Sequence, residues 1–185
     1  SLGEWVEAKD LILFLIGQIG VEGARYCALE FSGDGVQQLD MAGRMTIANM
    51  AIEAGGKAGL FPVDDTTRTY VDERAKRDYT VYEADADADY QEVIEIDVSE
   101  MEPQVAFPHL PENARPVSKA GDVKIDQSVI GSCTNGRLDD IAAAADTLRG
   151  RRHKERGEWI NCSCIYPERH AHHDAKRSFG FNTRS

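Results

Sequence analysis

Between Ala8 and Phe61 the hydrophobic period switches from helical to alternating and back, and this switching most constrains the fold. Ala8 to Gly17 is apolar on nearly every side, which predicts a buried helix, and Gly20 and Gly23 end it. Arg25 to Phe31 then alternates, with Cys27, Leu29 and Phe31 on one face and Tyr26, Ala28 and Glu30 on the other, as a strand does. Ser32-Gly33-Asp34-Gly35 is turn chemistry. A second helix is expected over about Asp40 to Ala54, with Asp40 as its N-cap and Gly55-Gly56 as its stop. Ala58 to Phe61 reads as a short buried strand closing a βαβ unit. Asp64-Asp65-Thr66-Thr67 reads as the cap of a helix running to about Lys76.

Farther along, the pattern thins. Glu83 to Asp89 is acidic and Ala-rich without a period, which reads as a solvated connector. Tyr90 to Val98 alternates again, placing Ile94, Ile96 and Val98 inward. Pro103, Pro108, Pro111 and Pro116 then mark a long irregular link and the best candidate for a domain boundary. Val123 to Ile130 is expected as a strand that runs into Gly131-Ser132-Cys133-Thr134-Asn135-Gly136, followed by a helix from Arg137 to about Arg149. Asp139 and Asp140 in its first turn and Arg149 at its end suit the helix dipole. Strands alternating with helices give the fold class, α/β with a parallel or mixed sheet flanked by helices. The boundaries are 1–102, 103–152 and a divergent tail, 153–185, on which no structure is imposed.

Composition narrows the function classes. With 42% hydrophobic and 29% charged residues the chain has the balance of an ordinary globular protein. A net charge of −11 argues against a nucleic-acid partner, which needs clustered Lys and Arg. The longest apolar run, Leu11 to Ile19, is broken by Gly17 and Gln18 and falls short of the roughly 20 residues of a membrane span. No basic n-region precedes it, so no signal peptide is read. The lack of an initiator Met and the early helix suggest a chain cut from something longer. Cys27, Cys133, Cys162 and Cys164 are irregularly spaced, as expected of reduced thiols in a cytoplasmic protein.

Cys133 is the sharpest chemical feature. Between a buried strand and a helix N-terminus, unpaired N–H groups and the helix dipole favour its thiolate, the form that ligates iron; the plain alternative is an incidental thiol in a tight turn. Glu30 sits just before a Gly-rich turn, where a strand end can present a carboxylate to a cleft, or it simply belongs to a solvent face. Cys162 and Cys164 with His170, His172 and His173 have zinc-type donors, although Cys-x-Cys is uncommon spacing for a closed site. Capping explains Asp64 and Asp65 better than paired acid–base work does, and Cys27 alternates with core residues.

Two stretches carry a resemblance. Ile130-Gly131-Ser132-Cys133-Thr134-Asn135-Gly136-Arg137 is similar to the cluster-binding loop of aconitase-type hydro-lyases. Ala28-Leu29-Glu30-Phe31-Ser32-Gly33-Asp34-Gly35-Val36, with Met45-Thr46-Ile47-Ala48-Asn49-Met50 and Gly59-Leu60-Phe61-Pro62, resembles the 3-isopropylmalate dehydratase large-subunit branch of that superfamily. The resemblance covers residues 4–152 in continuous register. It implies a partial second domain over 1–102 and the opening of a third over 103–152. It further implies a [4Fe-4S] hydro-lyase that interconverts 2- and 3-isopropylmalate in leucine biosynthesis, paired with a small subunit. Cys133 then matches the first of three cluster cysteines, and Glu30 matches a glutamate beside the open iron. Ser132, Thr134 and Asn135 match the loop around the cluster. A homoaconitase-type or other malate-type dehydratase remains an alternative, as does a non-catalytic binding or zinc-stabilised module.

The departures are specific. The other two cluster cysteines of the family come from a later Cys-x-x-Cys, and this chain has none. One thiolate cannot hold a cubane, so the chain alone is expected to be inactive and, with hydrophobic faces left unpartnered, aggregation-prone. After Arg152, where the family continues with an aliphatic strand, the composition turns to Arg, His, Cys and Ser, as a change of reading frame would produce. Translating the coding DNA beyond the Arg149 codon in all frames should restore an aliphatic strand followed by Cys-x-x-Cys. A coding sequence with no such frame would mark a genuinely divergent C-terminus.

Overall fold

The computed structural model describes residues 2–125, 128–131 and 134–149, together with the backbone of Asn161–Cys162. It divides into two compact units, residues 1–122 and residues 123–185.

The first unit is organised around α1 (Ala8–Ile19). Its apolar residues all round predict burial, and Ile12, Leu13, Leu15 and Ile16 are indeed in the core. They meet Leu39, Ile47, Met50 and Ala54 from the elements that follow, with Cys27, Leu29 and Phe31 packed at the edge of the cluster. β1 (Ala28–Glu30) pairs in parallel with β2 (Ala58–Leu60), in the register Ala28↔Ala58 to Glu30↔Leu60. Between them come a single turn, α2 (Asp34–Gln37), and then α3 (Met41–Met50), which runs into a 3-10 turn at Ala51–Ala54. This is the expected βαβ unit. Asp40 caps α3 by accepting from the Gly43 N–H at 2.7 Å. Gly55 ends the helical run at φ +82°, which a side chain would strain. Gly59 lets β2 lie against α3, since a Cβ there would stand 2.8 Å from the Ala48 Cα.

β1 is shorter than the alternation from Arg25 predicts. Tyr26 takes φ +63°, and Cys27 N–H bonds back to the Ala24 carbonyl, so the chain turns before it extends. Phe31 continues the pairing by donating to the Leu60 carbonyl and stacking on Phe61, with ring centroids 5.1 Å apart.

α4 (Asp65–Asp72) is capped by Asp64, as its sequence predicts, but it stops short of Lys76. It buries none of its residues, so no packing extends the helix into the polar Lys76-Arg77-Asp78. What attaches it is Arg44 of α3, whose side chain is 1% exposed. The guanidinium meets both Asp64 oxygens at 2.7 Å, Thr67 Oγ1 at 3.0 Å and the Leu39 carbonyl at 3.1 Å. A bidentate pair of this kind is geometrically demanding and strong.

Two expectations are corrected. Tyr90 to Val98 forms no strand: Ile96 and Val98 are half-buried, but Val93 and Ile94 are exposed. The segment touches β1 through the Tyr90–Glu30 side-chain contact and makes no backbone ladder with it. The proline-marked link, in turn, is ordered. β3 (Gln104–Ala106) and β4 (Ala114–Pro116) form an antiparallel hairpin, closed through a 3-10 turn at Pro111–Asn113. It packs along α1 and is pinned at both ends of that helix. Asp10 accepts from the Gln104 N–H at 2.6 Å, and Glu112 accepts from the Val21 N–H at 2.9 Å. Pro116 sits at the end of the ladder, where a missing N–H is tolerated.

In the second unit β5 covers Val129–Ile130, shorter than the expected Val123 to Ile130, and α5 runs Leu138–Leu148. β5 pairs in parallel with β6 (Asn161–Cys162), an element the sequence pattern does not announce. Ser132, Cys133, His170, His172 and His173 lie outside the described residues, as do the side chains of Cys162 and Cys164.

Removing the Asp64 carboxylate leaves the Arg44 guanidinium buried without its counter-charge. Asp64→Ala should therefore cost about 3–5 kcal/mol in urea unfolding of the chain. The same pair sets an acid limit. Its hydrogen bonds to Arg44 hold the Asp64 pKa down from 3.8 to about 2, so Asp64 favours the folded state above the ordinary carboxylate range. That contribution should fade as pH falls from 3.8 to about 2, and Asp64→Asn should flatten the loss in an acid titration followed by circular dichroism.

Candidate functional site

Glu30 ends β1 and leads into the turn at Ser32–Gly35, and the sheet therefore presents its carboxylate beside the start of α2. Cys27, Leu29 and Phe31 face the core, and alternation puts Glu30 on the exposed face. That face is not bare. A cleft of about 370 Å³ opens there, lined by Glu30, Ser32, Asp34, Tyr90, Glu92 and an apolar wall that includes Phe31, Ile94, Ile96 and Val98. Tyr90 donates to Glu30 Oε2 at 3.0 Å, and the Glu30 carboxylate raises the pKa of the Tyr90 phenol above its usual value. Gln91, next in sequence, accepts a hydrogen bond from Cys27 Sγ at 3.5 Å.

The charge of this cleft limits what it can bind. Glu30, Asp34 and Glu92 line it, and among the described residues no Lys or Arg does. A carboxylate-bearing ligand would meet like charge from these three side chains.

The second candidate region lies in the other unit. Of the loop Ser132 to Asn135, Thr134 and Asn135 are described, both half-buried. One carboxylate organises them. Asp140, in the first turn of α5, accepts from Asn135 Nδ2 and from the Arg137 N–H, each at 2.7 Å, and Arg137 Nη1 donates to the Thr134 carbonyl at 3.1 Å. The sequence places Asp140 in the first turn as a dipole partner; its grip on Asn135 adds a loop anchor.

Over the whole chain, the Gly-rich strand–turn with Glu30, the βαβ unit and the loop into α5 occur together. A family model described as "Aconitase family (aconitate hydratase)" matches residues 1–122. The chain belongs to the aconitase family. It is 60% identical over 152 residues to a protein named 3-isopropylmalate dehydratase large subunit from Moorella thermoacetica, and likewise to one from Syntrophus aciditrophicus. A relative of the same name from Halothermothrix orenii is 59% identical over 152 residues. Each match covers 82% of this chain but 36% of the relative, so the chain spans about a third of the length of these curated relatives.

For an aconitase-family chain, the fit of its residues to an iron–sulfur cluster can be tested directly. Cubane clusters are held by several thiolates. Among the described residues, no group of three or more His, Cys, Asp or Glu side chains is arranged to hold a metal ion. Cys27 is half-buried, with its thiol directed at the Arg25 carbonyl and at Gln91. Cys27 is the one thiol among the described residues, and the side chains of Cys133, Cys162 and Cys164 lie outside them. No helix among them is long and apolar enough to cross a membrane.

Tyr90 is the site residue that the sequence pattern does not reveal. It stands 60 residues from Glu30, and its strand-like context says nothing of a shared cleft. For the loop, Asp140→Ala should fray the first turn of α5 at a cost of about 1 kcal/mol, and amide exchange at Arg137 should speed up while core amides of α1 stay protected.

Proposed function

We propose that this chain is a segment of the iron–sulfur large subunit of a 3-isopropylmalate dehydratase, a hydro-lyase that interconverts 2-isopropylmalate and 3-isopropylmalate by loss and return of water. The observation that carries the reading is the 60% identity across 152 residues, 82% of this chain. In that parent protein Cys133 is assigned as the first cluster thiolate, with Ser132, Thr134 and Asn135 forming the loop around the [4Fe-4S] group. Glu30 is assigned to the reacting end of the substrate. A small subunit completes the enzyme.

The sequence supports the further reading that the segment alone is inactive: it has no Cys-x-x-Cys to supply the other thiolates of a cubane. Among the described residues no Lys or Arg lines the cleft beside Glu30, and the cations for a dicarboxylate substrate would come from the rest of the large subunit and from its partner.

The test is anaerobic reconstitution of the chain with iron and sulfide, followed by metal and sulfide analysis. Iron and sulfide well below one cluster per chain, with no turnover of 2-isopropylmalate in the presence of the small subunit, is the expected result. A full cluster complement would overturn the claim that the segment cannot hold it, and one zinc per chain would point to a metal-stabilised module instead. In the intact large subunit, Cys133→Ala should lower cluster content as well as activity.

A further inference from the structure

We propose that Tyr90 is the positioning residue for Glu30, holding its carboxylate in the cleft and tying residues 90–98 alongside β1. The inference rests on the assignment of Glu30 made above and adds a residue to it.

The argument starts from what Glu30 lacks. Its side chain has three rotatable bonds and sits at the end of a three-residue strand, on the exposed face. Among the described residues it has no ion pair, and the Tyr90 hydroxyl is its one side-chain hydrogen-bond partner, at 3.0 Å. The other charged groups lining the cleft, Asp34 and Glu92, are both acidic. Repulsion from them would turn a free carboxylate outward to water, and a single phenol donor opposes that.

Tyr90 is itself placed by its neighbours. At 47% exposure its ring is not fixed by burial. The chain that carries it is held next door by the Cys27–Gln91 contact, and farther along by Val98, which stands against Gly35, and by Ile96 on the core. Residues 90–98 make no ladder with β1, so side-chain ties are what set the distance between this segment and the strand. The Tyr90–Glu30 bond therefore does two things: it selects the Glu30 rotamer and closes one side of the cleft.

Tyrosine ring-carbon NMR on the full chain reads the contact without reference to activity, with Tyr90→Phe assigning the resonance. The Tyr90 phenol should ionise above the usual tyrosine range, and Glu30→Gln should bring it back down. A Tyr90 titration unmoved by Glu30→Gln overturns the proposal. In the intact large subunit assembled with its small subunit, Tyr90→Phe should lower kcat on the order of tenfold, the loss of one charge-assisted hydrogen bond at the reacting centre, with KM nearly unchanged. Glu30→Gln should lower it further, and the double substitution no further still. If Glu30→Gln impairs turnover while Tyr90→Phe does not, positioning fails and the assignment of Glu30 stands. If the NMR contact is present but Glu30→Gln leaves turnover intact, the assignment of Glu30 falls, and the proposal with it.

Discussion

A guanidinium cannot be left in a protein interior without its counter-charge and its hydrogen-bond acceptors, and the first unit is arranged around meeting that demand for Arg44. The side chain leaves α3 and is received by Asp64, Thr67 and the carbonyls of Leu39 and Val36. Three separate pieces of chain are thereby held in one geometry: the loop after α2, the body of α3 and the start of α4. The α4 helix contributes no buried side chain of its own. The arrangement is specific where a hydrophobic contact would be permissive, since a bidentate pair tolerates little displacement.

The same logic recurs with carboxylates at chain ends. Asp10 satisfies the Glu7 N–H at the start of α1 and the Gln104 N–H of β3. Glu112 reaches the Val21 N–H just past the end of that helix. Asp140 serves both the Arg137 N–H and the Asn135 amide. In each case an acidic side chain that local pattern accounts for as a cap or as surface charge also fastens a second element. A chain with a net charge of −11 has carboxylates to place in this way, and the backbone N–H groups at helix starts and strand edges are where they are most useful.

The cleft beside Glu30 shows the reverse side of that composition. Its charged lining among the described residues is acidic, its wall is apolar, and Tyr90 donates to Glu30 there. The chain spans about a third of the length of the curated relatives it matches.

By itself the sequence determined the features that arise within a few residues: the buried helix at Ala8, the caps Asp40 and Asp64, the stop at Gly55, the strand–helix–strand order up to Leu60, and the family, through its two motifs. Each depends on backbone period or on a bond spanning three or four positions, so the information is local. Only the tertiary structure decided that residues 90–98 stay unpaired, that the proline-marked link folds into a hairpin on α1, and that Tyr90 meets Glu30. Those outcomes rest on contacts across 60 to 94 positions, such as Tyr90–Glu30 and Gln104–Asp10. A one-dimensional pattern carries no record of them. Alternation at Tyr90 to Val98 is the same whether or not a backbone ladder forms, which is why one signal gave a strand at β1 and none at residues 90–98.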